Sequence, residues 1–133
     1  MTRLRLLMLV LIGAAAAVTM AADPAKDNEE QKARDTLMEK KLEYAQQVLA
    51  GLTREDYDLV VKNAKAMNLM TDLQKFFRAD SPEYYAQLKI FEFANNELVR
   101  LAEERNLDGI STAYVQLTLS CVNCHKYVRA HQQ

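Results

Sequence analysis

Five residues near the end of the chain, Cys121-Val122-Asn123-Cys124-His125, set two soft nucleophiles and an imidazole at fixed spacing. A thiol can add across a vinyl group to give a thioether, and an imidazole can ligate a metal, so C-x-x-C-H is the spacing of covalent haem c attachment. On a helix, positions i, i+3 and i+4 share one face, so both sulfurs and the ring would address a flat cofactor from one side. Cys121 and Cys124 are then the attachment points and His125 the proximal iron ligand. Three other chemistries share part of the motif. A closed zinc site takes about four ligands, whereas this chain has two cysteines and two histidines in all and would have to recruit carboxylates. A thioredoxin-like C-x-x-C follows a strand and opens a helix in a βαβ pattern, and no strand-like alternation occurs here. A structural disulfide between Cys121 and Cys124 has no use for His125. The expectation is one covalent haem c.

The elements that must hold these residues are helices. Three glycines and two prolines in 133 residues, with many Ala, Leu, Glu, Lys and Gln, predict long ones. A first helix is expected from about 28 to 50, stopping at Gly51, with Met38, Leu42, Ala45 and Leu49 as its apolar seam and Leu37 and Val48 alongside. Thr53 and Asp56 have capping-box spacing for a second helix, whose inner face is Tyr57, Val60, Val61, Ala64 and Met67. Beyond Asn68 the apolar positions shift by half a turn to Leu69, Leu73, Phe76 and Phe77, as a kink, a break or a second buried face would produce.

Ser81-Pro82-Glu83 is a helix start: a capping serine, proline at the first position, an acid in the first turn. The third helix reaches about 106 through Tyr84, Leu88, Phe91, Leu98, Leu101 and Ala102. Leu107-Asp108-Gly109 makes the last turn, with Asp108 as the expected cap. The fourth helix carries Ile110, Ala113, Tyr114, Leu117, Cys121, Cys124, His125 and Val128 inward. Short connections make neighbours antiparallel, so the expected fold is all-α: an up-down-up-down four-helix bundle with a C-terminal attachment helix.

Arg3 and Arg5, the apolar run 6–18 and the small residues Thr19, Ala21 and Ala22 read as a secretory signal over 1–21, cleaved after Ala21 or Ala22. That run is shorter than the ~20 residues of a spanning helix, so no stable membrane insertion is expected after its removal. Residues 22–27 are expected to be a short leader and 28–133 the bundle. Export suits the motif, because haem c is attached on the outer side of a bacterial membrane, here the periplasm, which tolerates thiol oxidation. Taking Arg3 and Arg5 from 17 basic residues leaves 15 against 18 acids. Without a basic excess to neutralise phosphates, nucleic acid is excluded as a partner.

An exported four-helix chain with C-x-x-C-H in the last turns of its final helix resembles the cytochrome c′ superfamily, the class II c-type cytochromes. The resemblance covers the whole mature chain and rests on Cys121-x-x-Cys124-His125, on Arg129 four residues on, and on Arg34-x-x-x-Met38 in the first helix. Where many members have an aromatic before the position of Arg129, this chain has Val128, with Tyr127 one place earlier. The resemblance implies electron exchange with redox partner proteins, and a homodimer among its assemblies.

The sixth iron position decides function. His and Met together fill the coordination sphere and raise the potential, the arrangement of electron carriers, whereas an open position admits a gas. Three methionines, Met38, Met67 and Met70, follow the signal. Met38 lies ~15 Å into its helix and His125 ~9 Å from the end of its own, so an antiparallel bundle sets them at similar heights. Met70 passes the same height test if the second helix ends near Arg78. The resemblance favours Met38, because low-spin members of the superfamily take this ligand from the first helix. Six residues from His125 on the same helix, His131 cannot reach the opposite face. Arg129 is a candidate partner for a haem propionate or for the outer nitrogen of His125, and Phe91 and Tyr114 are candidate pocket walls. The chain is expected to be a non-enzymatic, exported monohaem electron carrier with His125 and Met38 on the iron. The alternative is a five-coordinate module that binds nitric oxide or carbon monoxide.

Overall fold

The structure, a computed structural model, describes residues 24–77 and 81–131. The expected signal 1–21 lies outside the described residues. Four helices follow in order: α1 (Pro24–Thr53), α2 (Tyr57–Gln74), α3 (Pro82–Glu103) and α4 (Leu107–Ala130). Sequence neighbours pack closely, α1 on α2, α2 on α3 and α3 on α4, while α1 and α4 barely touch. This is the expected antiparallel four-helix bundle, closed along three seams and loose along the fourth. Among the described residues, no helix is long and apolar enough to cross a membrane.

The core follows from periodicity. Val48, Val60, Met67, Leu98, Ile110 and Leu117 have at most 1 % of their surface exposed, and each such side chain contributes about 1.5–3 kcal/mol relative to an exposed one. On α1 the expected seam is rotated. Val48 is buried with Tyr44 and Ala45 packed beside it, whereas Leu42 and Leu49 are 61 % and 47 % exposed. They lie on the side of α1 that the loose seam leaves uncovered. The phase shift on α2 is neither a break nor a second buried face. The helix continues to Gln74, its inner line runs on through Thr71 and Gln74, and Leu69, Leu73 and Phe76 form an exposed outer stripe.

Helix ends differ from expectation in four places. α1 starts at Pro24, inside the expected leader, where proline suits a first helical turn. It also runs through Gly51, which is there for contact and not as a stop. A Cβ at Gly51 would meet Val60 Cγ2 at 2.8 Å and the Asp56 carbonyl at 3.1 Å. Asp56, not Thr53, caps α2 by accepting the Leu59 N–H at 2.9 Å, and Asn106, not Asp108, caps α4 by accepting the Gly109 N–H at 2.9 Å. Both caps follow a residue in the left-handed region, Glu55 (φ 54°) and Arg105 (φ 55°), so two turns of one design reverse the chain. Ser81 caps α3 as expected, accepting the Tyr84 N–H.

Between α2 and α3 the register is fixed by asparagines. Fully buried Asn95 donates to the Ala64 carbonyl at 2.7 Å and to Asn68 Oδ1 at 2.8 Å, and Asn68 donates on to Asn96.

Candidate functional site

The sparse α1–α4 seam opens into a cleft of two adjoining lobes, about 700 Å³ and about 340 Å³. Both are lined by Met38, Gln74, Cys124 and His125. The larger lobe, toward the bundle end, adds Arg34, Phe77, Tyr84, Val128 and Arg129. The smaller adds Lys41, Leu42, Met67, Phe91 and Cys121. The attachment motif, the first-helix methionine and Arg129 therefore border one cavity, reached from two helices that hold each other at a distance.

α4 positions the motif as helical spacing requires. Cys121 and Cys124 are half-buried, and among the described residues there is no disulfide. Burial pushes the Cys121 thiol up, partly opposed by the Lys41 ammonium. His125 is exposed at the cleft wall instead of pointing into the core, because it lies one step around α4 from the buried line through Leu117 and Ser120. Among the described residues, no three His, Cys, Asp or Glu side chains come together in a geometry that could hold a metal ion.

On α1, Met38 is the methionine common to both lobes; Met67 lines only the smaller one, and Met70, half-buried on α2, lines neither. Of the candidate walls, Phe91 lines the smaller lobe. Tyr114 lines neither lobe; its hydroxyl donates to the Ala45 carbonyl at 3.1 Å, one of the few ties across the α1–α4 seam. Burial raises its pKa. His131 stacks on Tyr127, with ring centroids 4.3 Å apart, and serves the end of α4. The Tyr127 hydroxyl lies 3.1 Å from Ser81 Oγ, bracing α4 against the start of α3. Arg34 is engaged by Glu30 at 3.1 Å and Gln31 at 2.9 Å while facing the larger lobe.

Polar residues on inward lines of α1 and α2 complete the wall. Gln74 is 4 % exposed. Its carbonyl oxygen accepts from Lys41 Nζ, and its amide donates to Tyr84 Oη at 3.3 Å and lies 4.0 Å from Met38 Sδ. Lys41 Nζ also sits 3.7 Å over the Phe91 ring. Loss of water around the amine, opposed by the two thiols and Glu92, brings Lys41 down to about 8. Sequence reasoning passed over both residues. The signal was a lysine in the line 41-44-48 and a glutamine in the line 60-64-67-71-74, where an apolar residue is expected.

A haem c is attached through two thiols one helical turn apart with an adjacent imidazole, and a soft donor across the cavity and cations near its carboxylates would suit an electron carrier. Cys121, Cys124, His125, Met38, Arg34 and Arg129 provide that donor set around one cleft. A scan against protein-family models, a search of curated proteins and a search of solved structures find no match to this chain.

Proposed function

We propose that this protein is an exported monohaem c-type cytochrome of the cytochrome c′ kind, carrying single electrons between redox partner proteins. The observation that carries the reading is the shared cleft. Both lobes are bounded by His125 of the C-x-x-C-H motif on one side and Met38 on the other. Bound there through thioethers to Cys121 and Cys124, haem c supplies a one-electron couple. The chain's own residues do the rest. His125 and Met38 would hold the haem iron from the two sides of the cleft, and two such ligands would limit rearrangement during electron transfer. Gln74 restrains the Met38 thioether on the α2 side. Arg34 and Arg129 at the larger lobe offer guanidiniums suited to carboxylates. Phe91, Met67 and Leu88 give the smaller lobe an apolar lining.

One observation favours a second reading, a five-coordinate module for a small gas. Gln74 and Tyr84 bring hydrogen-bonding groups to the side of the cleft that a distal ligand would occupy, and distal polarity governs what a haem binds. Absorption spectra of the purified exported protein, ferric and ferrous, with and without carbon monoxide, separate the two. A methionine-to-ferric charge-transfer band and no response to carbon monoxide are expected. A high-spin spectrum that changes promptly with carbon monoxide overturns electron transfer in favour of gas binding, and a protein without covalent haem overturns both.

A further inference from the structure

Lysine on a helix normally carries its ammonium out to water along a flexible stem. Lys41 does the opposite. It stands one turn beyond Met38 on α1, reaches inward, and lines the smaller lobe with Cys121, Cys124 and His125. Its amine is fixed from two further helices, by the Gln74 carbonyl of α2 and by the face of Phe91 on α3. Among the described residues, no carboxylate lies within ion-pair distance of it. Glu39 lines the same lobe from α1, and Glu92 acts on Lys41 from α3 at longer range. A neighbouring apolar residue would fill this place at no desolvation cost, so packing alone does not account for a lysine here.

We propose that Lys41 is the charge-supplying residue of the site, its ammonium held against the cofactor on the Met38 side so that the less positive, reduced iron is favoured. The proposal rests on the haem c reading. On reduction one electron arrives from a donor protein, no bond to Lys41 forms or breaks, and the fixed ammonium is repelled less by the reduced centre than by the oxidised one. Held by neutral partners and withdrawn from water, the charge is poorly screened. Its removal shifts the oxidised-to-reduced ratio against a fixed donor by on the order of tenfold, which for a one-electron couple is about 59 mV.

The test uses the full exported protein carrying its haem, at mildly acidic pH, because thioether formation removes the two thiolates that act to raise the Lys41 value. Covalent haem is scored first by the pyridine haemochrome spectrum, and midpoint potentials are then measured for wild type, Lys41→Met, Lys41→Gln and Lys41→Arg. Lys41→Met and Lys41→Gln are expected to fall by about the tenfold equivalent, and Lys41→Arg to stay within about twofold of wild type, because it keeps the charge. Lys41→Gln preserves a donor to Gln74 and carries the comparison if Lys41→Met does not fold. Haem-loaded neutral variants at the wild-type potential, or Lys41→Arg falling with them, overturn the role of Lys41 and leave the haem reading standing. A wild-type chain without covalent haem overturns both.

Discussion

Lys41 also makes a prediction about the haem-free chain. The perturbation is Lys41→Met in a Cys121→Ser/Cys124→Ser background, which removes haem attachment and thiol titration together. The ordinary lysine value of 10.5 falls to about 8 in the fold, chiefly because the amine is taken out of water. A lowered amine pKa means that the folded state holds fewer protons than the unfolded state between about 8 and 10.5, so stability rises with pH through that window. The gap of about 2.5 units amounts to roughly 3 kcal/mol, present in full as a penalty below pH about 8 and gone above the unfolded value. Thiolates raise the Lys41 value in the native chain, so the serine background does not shrink this gap. At neutral pH, Lys41→Met escapes that penalty but loses the bond to Gln74, about 1 kcal/mol, and the contact with Phe91, about 0.5–2 kcal/mol. The two sides nearly cancel there. At high pH the folded amine is neutral, so the ammonium–ring contact is absent from the parent as well and only the bond to Gln74 is lost.

Urea unfolding followed by circular dichroism, at neutral pH and at pH about 11, should therefore show the variant at least as stable as its parent in the first case and less stable by roughly 1 kcal/mol in the second. Tyrosine and glutamate titration is common to both proteins and drops out of the difference. A difference that stays constant with pH, or that favours the variant more as pH rises, refutes the reasoning: Lys41 would then be solvated in the folded chain, and the inward placement of its amine would be wrong.

Four further outcomes are expected. Met38→Ala should abolish the charge-transfer band and open the iron to carbon monoxide without loss of covalent haem; an unchanged spectrum would make Met38 a packing residue only. Cys121→Ser or Cys124→Ser should leave haem on one thioether, seen as a shifted haemochrome band, and the double substitution should leave haem extractable by acid acetone. Gly51→Ala forces a methyl against Val60 Cγ2 and the Asp56 carbonyl; a loss of about 1–3 kcal/mol in chemical unfolding outweighs the ~0.5–1 kcal/mol that alanine brings to a helix. Asn95→Ala removes both buried amide bonds and should cost about 2–3 kcal/mol, whereas Leu69→Ala on the exposed stripe should stay within about 0.5 kcal/mol.

What the sequence disclosed about this molecule divides by the kind of signal. The four helices were legible because 3.6-residue periodicity and few breakers speak for themselves, and Ser81-Pro82 announced its own cap. Caps at Asp56 and Asn106 were missed by two or three residues because each follows a left-handed residue, Glu55 or Arg105, that carries no glycine to mark it. Leu42 and Leu49 misled for a different reason. Their spacing predicts a buried stripe, but a stripe is buried only where a neighbour comes close, and α1 and α4 stand apart. The same separation explains the site. A bundle that closed on all four seams would bury Leu42 and leave no room beside Cys121. Leu42, which looks misplaced in the chain alone, borders the smaller lobe, and the polar residues in apolar register, Lys41 and Gln74, line the same lobe from α1 and α2. Departures from the helical pattern on the two inner lines therefore mark the site as directly as the cysteines do, once it is known which seam is open.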